Sequence, residues 1–590
     1  MKKIAILTLS VMMAFTSCDI LNNDPDDSFT KSNYFTSVEN VELFANYFYS
    51  AFSGYGNGGS YGVFYFNILN DDQAKTGVEP WTFTQQPASA GAWSSPYSNI
   101  RRCNLLVEAI PGIESMTSAQ KNHWMGVARL MRAWYHYQVV RGFGDCYWVN
   151  HVLDPKADAD ILYGPRTDRD IVMDSILADL NFAVENITLN SKSQTQFNVY
   201  VANAMKAEIC LYEGTFCRYR VEADGQKAPN EARAQQYLRE CCNACEVILG
   251  SGKYSLTPKY SDVYTSLNLE GNPEMILYKH YNYPTLGHSV IDYTCGSTIV
   301  NGMNKDAFNA YLSDEGELMN YEDDHGTLVN GKPNVAAQIA KRDPRLACHV
   351  DAALQFPGNG VARFADDPVA GKNASESTSS TGYGVLKFDT KEKDRVSRQS
   401  IGMGDTDAPI FWIAVIMLDY AEAKAELGEF DQIIAEGPLQ GITPHAATLD
   451  KLRARAGNIW GFGVVSDPRK NMNVSDLIYE VRRERRVELM YDINDRYYSL
   501  QRWHCLYLLD TQQYPDQKKG AWIGTANDAD KLFDVAGAIA AGANHPDIDE
   551  KGYIDCSNGN NRVYDPKYYL FPIPSDQQTL NPEIGQNYGW

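Results

Sequence analysis

The sequence predicts a mostly α protein, a short α-solenoid of stacked helix pairs that carries a large loop-rich elaboration. Three observations lead there. The stretch HWMGVARLMRAWYHYQVVRGFGD, His123 to Asp145, repeats apolar residues at helical spacing, with Val127, Leu130, Met131, Trp134, Tyr135 and Val139 on one broad stripe. Similar patterns recur in neighbouring pairs dotted with small residues, although no exact repeat is visible. Residues 254–400 behave differently, setting short segments such as EMILYKHYNY and YGVLKFD between polar or Gly-rich stretches.

Taken in order, Ser37 to Phe52 reads as a first helix with Val41, Phe44, Ala45, Phe48 and Phe52 on one side, and Gly54 to Gly62 as a loop of almost low complexity. The region around Trp93 reads as irregular, and Ile100 to Ile110 as a helix closed by Pro111-Gly112. The helix from His123 to Val140 follows, about 18 residues and roughly 27 Å long, completing an αα-hairpin. Its Gly126, Ala128 and Ala133 allow another helix to come close, and Gly142 and Gly144 end it. Arg129, Arg132, His136 and Arg141 are assigned to structural ion pairs or solvated heads.

A second pair runs from Asp168 to Val184 and from Asn198 to Tyr212, with Asp168 and Asn198 as caps. A third helix spans Glu231 to Leu249. Its CCNAC segment, Cys241, Cys242 and Cys245, lacks a second pair at zinc-like spacing, so small buried Cys is the better account. KNASESTSSTGYG is expected to be an exposed loop. Helicity returns at Pro409, through the apolar run Ile410 to Leu418 and on to Gly428, and again from Thr448 to Ala456 and from Ser475 to Asp492. In the last, Glu480, Glu484 and Glu488 recur every four residues among Arg482, Arg483, Arg485 and Arg486, which fits surface ion pairs or a partly buried lattice. The prolines of FPIP exclude a regular helix, and Tyr568, Tyr569, Phe571, Ile573 and Trp590 predict an extended segment tied onto the body.

The 590 residues suffice for a large core without disulfides, and the eleven Cys left beside Cys18 form no even scaffold. A net charge of −21, 12% aromatic residues and 37 Tyr describe an acidic, Tyr-rich body, which excludes nucleic acid as a partner and leaves neutral or cationic ligands open. At the start, Lys2 and Lys3, the apolar Ile4 to Phe15 and then FTSC predict a signal peptide over 1–17. FTSC resembles a bacterial lipobox, which implies acylation of Cys18. Residues 18–33 are expected to be a flexible tether, and its acidic Asp19, Asp24, Asp26 and Asp27 resemble the surface-export signal of lipoproteins of the Bacteroidetes.

Several segments, in their order, carry a wider resemblance. WSSPYSNIRRCNLLVEAI, RLMRAWYHYQVVRGFGD, ANAMKAEICLYEG, DYAEAKAELG, LRARAG, VRRERRVELMYDINDRYYSLQRW and LFPIPSDQQTLNP resemble the SusD/RagB family of outer-membrane nutrient-binding lipoproteins over essentially the whole mature chain. That resemblance implies a right-handed α-α superhelix of four tetratricopeptide-like helix pairs with a loop-rich ligand-binding part built on it; 34–590 reads as a single body with 254–400 as a loop-rich elaboration, and 505–560 looks like a further elaboration that departs from the family and could alter ligand choice. It implies capture of a glycan at the cell surface and delivery to a SusC-like TonB-dependent outer-membrane transporter, without catalysis; peptides or other nutrients are the alternative ligands. One departure stands out: where the family commonly has an Arg and an acidic residue before the YAEA segment, this chain has Trp412 and Val415.

A glycan site needs ring faces for the apolar sides of sugars and polar groups for their hydroxyls. The best local match is Asp71, Asp72, Trp81, Trp93, Tyr97, Asn99 and Arg101, although Trp93 and Tyr97 can equally belong to the scaffold. Tyr278, Tyr281, Tyr283 and Tyr293, with His280, Asn282 and His288, form a second cluster that can also be packing. No nucleophile motif, HExxH arrangement or phosphate-binding Gly loop appears, and no cofactor or metal is assigned. A surface glycoside hydrolase and a purely structural lipoprotein are the competing functions, the first requiring a carboxylate pair at suitable separation.

Overall fold

A computed structural model describes residues 34–64, 69–188, 194–295, 301–319, 328–329, 332–362, 376–377, 379–390, 401–458 and 460–590. The signal peptide, Cys18, the tether and parts of the 254–400 elaboration lie outside the described residues. Helix α1, Val38–Ala45, capped by Ser37, passes into a 3-10 turn over Asn46–Ala51, so the first predicted helix is present in two parts. After strand β1, Gln73–Lys75, helix α2 spans Gly91–Ala109. It therefore includes the Trp93 region expected to be irregular. Pro96 lies inside this helix, as its sixth residue, where it removes one backbone donor.

Helix α3, Ser118–Phe143, begins earlier than its apolar stripe suggests because Thr117 and Gln120 close a capping box, and it stops at Gly144, whose φ is 72°. Helices α4, Arg169–Asn186, and α5, Val199–Tyr219, start after the predicted caps Asp168 and Asn198, and α6 spans Glu231–Leu249. Each helix packs on the next, α2 on α3, α3 on α4, α4 on α5 and α5 on α6, which makes the body a solenoid of stacked pairs. Small residues set the closest approaches. A Cβ added at Gly126 would lie 2.8 Å from Ile187, and one at Gly214 would lie 2.8 Å from Leu238. Cys241, Cys242 and Cys245 are free and buried on α6.

The elaboration is held by two-stranded antiparallel ribbons. Strand β2, Met275–Lys279, pairs with a strand further along the chain; β3, Asn301–Met303, pairs with β1; and β4, Val350–Gln355, pairs with β5, Gly382–Val385. The exposed loop expected over KNASESTSSTGYG is corrected in its second half. Ser379, Thr381 and Tyr383 are buried, with Thr381 receiving the Ala521 N–H and Tyr383 stacked on Phe308 at 4.5 Å. The apolar run Ile410 to Leu418 is likewise divided. Strand β6, Ala408–Trp412, pairs with β2, and helix α7, Ile413–Glu426, begins only after it. A continuous apolar run satisfies either element, and pairing with β2 decides where the strand stops.

Helix α7 packs on α6 and on α9, Asp476–Glu488, with α8, Leu449–Ala456, beside it. The stretch expected to be helical to Asp492 ends sooner, and Asp492 caps a separate helix α10, Ile493–Arg502, which returns to α5. The Arg/Glu pattern of α9 is buried. Glu484 receives Arg345 and Arg453, Glu480 receives Arg453 and Arg483, and Glu488 receives Arg345 and Arg455. Three of these guanidiniums enter from outside α9, so the lattice ties loop 343–345 and α8 to this helix. The C-terminal segment is fastened to the body as expected: Phe571 N donates to Gly142 O at 2.7 Å and Trp590 Nε1 to Leu570 O at 2.9 Å. No helix among the described residues is long and apolar enough to cross a membrane.

Candidate functional site

The predicted site residues fall into separate environments. Asp71 and Asp72 are buried beneath α9 and α10. Arg496 grips Asp71 with Nε at 2.6 Å and Nη2 at 2.5 Å, and Arg486 Nε holds Asp72 at 2.7 Å. Burial alone would raise the Asp71 carboxyl, but Arg486 and Arg496 outweigh it and hold the group well below the usual carboxylate range. At Asp72, burial and the neighbouring Asp71 charge prevail over the guanidiniums, so its pKa is raised.

Trp81 is 6% exposed; its ring stacks on Tyr568 at 4.3 Å and its Nε1 donates to Val563 O. Trp93 is 3% exposed and meets Phe143 edge-on at 5.0 Å. Neither offers an open face to a sugar ring. Tyr97 is half-buried, its hydroxyl receiving the Tyr147 N–H at 2.8 Å, while Asn99 is half-buried and Arg101 exposed.

The second cluster is brought together, in a supporting role. Tyr281 Oη donates to Gly56 O at 2.6 Å and Tyr293 Oη to Gly59 O at 2.8 Å, while Ser289 Oγ donates to Gly58 O at 2.6 Å. These hydroxyls pin the Gly54 to Gly62 loop, which carries Tyr61 near its closing end, where Val63 N donates to Gly54 O. Tyr61 is 53% exposed and lies edge-on to Tyr293 at 5.1 Å. Tyr278 is buried and Tyr283 half-buried. His288 is buried against Thr406, and burial lowers its pKa to about 4.

An outer cavity of about 310 Å³ opens between α9, the short helix Lys305–Phe308 and the loop through residues 513–516. Asp71 lies at its base, with Arg486 and Arg496. Tyr479 and Tyr514 supply rings, and Asn309, Asn471, Gln513, Asp306, Asp516 and Arg469 supply polar groups. Both tyrosines are half-buried. Sequence patterning pointed to Asp71 and to the 505–560 elaboration, but missed Tyr479 and Tyr514. Tyr479 stands one turn before the Arg run of α9, where its period matches any helix face.

An inner cavity of about 250 Å³ lies where α3, α5, β6, α7, α9 and α10 converge. Trp412 and Val415, the departure seen in the sequence, form part of its wall. Four carboxylates face it. Burial raises the Glu208 pKa to about 7, with Arg141 opposing and Asp419 adding to the shift; burial likewise raises Asp492 to about 7 and Asp419 to about 6. A carboxyl with a raised folded-state pKa favours folding only while protonated. Its penalty grows as pH climbs from the ordinary carboxylate value and is complete above about 7. Glu208→Gln is therefore expected to gain roughly 1–2 kcal/mol at pH 8 and almost nothing at pH 4, as read by urea unfolding at the two pH values.

Among the described residues, Asp170, Glu213 and Cys217 bring three possible metal-ligand atoms close together. Arg169, Arg220, Arg233 and Lys227 already pair with the two carboxylates, so this cluster is an ion-pair network.

A helical solenoid that presents a polar, ring-lined cavity beside long loops defines a class of ligand-binding scaffold. Within that class, the chain belongs to the SusD family, which it matches over residues 250–590, and residues 45–211 match a family described as starch-binding and associating with the outer membrane. A SusD-like protein of Bacteroides ovatus is 23% identical over 288 residues, 47% of this chain and 49% of the relative. The chain spans about half the length of the curated relatives it matches. Among solved structures, a SusD-like carbohydrate binding protein from Bacteroides fragilis superposes with a TM-score of 0.65 at 18% identity, covering 94% of this chain and 100% of the other. Surface glycan-binding protein A from Bacteroides fluxus gives 0.58 at 15% identity, covering 94% and 99%.

Proposed function

We propose that the protein captures a glycan at the cell surface, without catalysis, and delivers it to a SusC-like TonB-dependent outer-membrane transporter. Acylated Cys18 would anchor it to the outer membrane facing the exterior, and its scaffold would be the right-handed superhelix of four tetratricopeptide-like pairs. The observation that carries the glycan assignment is the outer cavity, where Tyr479 and Tyr514 stand among carboxylate, amide and guanidinium groups. Rings take the apolar faces of sugars, while the polar set exchanges hydrogen bonds with hydroxyls. The two solved proteins, named for carbohydrate and glycan binding, support the ligand class. Tyr61, held up by the Tyr281 and Tyr293 hydroxyls, provides a second contact surface.

Of the residues first singled out, Asp71 enters this site from its base, and Tyr97, Asn99, Arg101 and Tyr283 are the members of the rest that are not fully buried. Tyr514→Ala and Tyr479→Ala are each expected to weaken glycan binding roughly tenfold in calorimetry, the worth of one ring contact, while the protein stays folded. Unchanged affinity in both folded variants would remove the outer cavity from the assignment. Saturable peptide binding with no glycan binding would favour the peptide-uptake function.

A further inference from the structure

The inner cavity has a charge imbalance and unmet hydrogen-bonding needs of both kinds. Arg502 is taken up by Glu422, through Nη1 at 2.5 Å and Nη2 at 2.7 Å. Arg485 is divided between Asp495 at 2.7 Å and Asp419 Oδ1 at 2.9 Å. Arg141 lies over the Tyr498 ring at 3.4 Å, and its buried Nε has no acceptor. Asp492 Oδ1 receives the Asp495 N–H, while Lys387, which acts on Asp492 electrostatically, directs its ammonium to Met490 O at 2.6 Å. Glu208 and Asp419 Oδ2 remain, the latter on a side chain only 1% exposed and without a donor.

A second, independent feature comes from α3. Trp134 is 8% exposed and lines the same cavity, yet its Nε1 has no acceptor. The cavity thus leaves one Asp419 oxygen without a donor and the Trp134 indole N–H without an acceptor, and sets Glu208 against Arg141 alone, within aromatic walls that include Phe411 and Tyr137. Water can meet the hydrogen-bonding needs but brings no counter-charge, and an inorganic cation brings charge but no acceptor for the indole N–H. A molecule bearing both an ammonium and hydroxyls answers all of it, and a chain of net charge −21 favours a cation.

We propose that the inner cavity binds a small polyhydroxylated amine, its ammonium set against Glu208 and Asp419 and a hydroxyl oxygen accepting from Trp134 Nε1. Access runs past the half-buried rim residues Ser53, Val63, Gln138 and Ile410. The raised pKa of Glu208 agrees with this, because burial there outweighs the Arg141 charge and a bound ammonium adds to that counter-charge. This site stands apart from the outer cavity and does not depend on the glycan reading there.

The test is calorimetry of the full chain carrying Cys18→Ser, with D-glucosamine, D-glucose and N-acetyl-D-glucosamine as probes at pH 7. Glucosamine is expected to bind saturably at one site, and the two uncharged sugars roughly tenfold more weakly or worse. Glu208→Gln and Asp419→Asn should each weaken glucosamine roughly ten- to hundredfold, and Trp134→Phe should weaken it too, in proteins whose cooperative melting shows them folded. Binding should release protons, seen as heats that depend on the ionisation enthalpy of the buffer. Tyr514→Ala should leave glucosamine affinity unchanged. Absence of glucosamine binding, equal binding of glucose, or full affinity in folded Glu208→Gln overturns the proposal.

Discussion

Arg345→Ala is expected to destabilise the protein by about 3–5 kcal/mol, the cost of breaking a buried ion pair from one side. Arg345 is fully buried, and its guanidinium meets Asp343 at 2.7 Å, Glu484 at 2.6 Å and Glu488 at 2.9 Å. Burial alone would favour its neutral form, but these carboxylates hold its pKa well above the ordinary value. Arg453 and Arg455 still reach Glu484 and Glu488 after the substitution, whereas Asp343 keeps only Asn458 and its local backbone donor. Arg345→Lys should rescue only part of the loss, since one ammonium cannot reproduce the planar fork that serves three carboxylates. Urea unfolding followed by circular dichroism checks both variants. A loss under about 1 kcal/mol in Arg345→Ala would place the lattice with solvated surface pairs instead.

Trp93→Ala should cost about 3–5 kcal/mol as well, by opening a cavity in the core. The ring is enclosed by Phe143, Tyr97 and Tyr147, at the contact of α2 with the end of α3. The expected phenotype is a lower melting temperature, with glycan affinity intact at temperatures where the variant is folded. A selective loss of glycan binding with unchanged melting would return Trp93 to the platform role for which its place beside Tyr97 first suggested it. Trp81 makes the same point, since its indole N–H is spent on Val563 O and its face on Tyr568.

These two tryptophans show where local sequence stops being informative. Helix positions and caps were legible because they depend on neighbours in the chain: Asp168, Asn198 and the bounds of α6 follow from capping chemistry and period. The period-four Glu pattern of α9 was visible, but its burial was not. That depends on Arg345, Arg453 and Arg455, which arrive from segments far away in sequence. Similarly, whether a Trp or Tyr face is open is decided by distant partners such as Tyr568 and Phe143. Asp71 was singled out for its carboxylate and does lie at the base of the outer cavity, but it is fixed there by Arg486 and Arg496 on α9 and α10. Tyr479, Tyr514 and Tyr61 carry no local mark among 37 tyrosines.

The departure at Trp412 and Val415 bears on a different point. Both line the inner cavity, and their apolar side chains offer no donor to Asp419 Oδ2, a buried carboxylate oxygen that has none. Stability retained in the face of such groups is a mark of binding sites, where a ligand supplies the missing partners.

The most direct test of glycan capture is calorimetry of the Cys18→Ser chain against an oligosaccharide hit from a glycan array, repeated with Tyr479→Ala and Tyr514→Ala combined. The account predicts saturable binding without cleavage of the glycan, lost in the double variant while its melting temperature is preserved. Release of shorter sugars during the titration, or undiminished binding by the folded double variant, would contradict it.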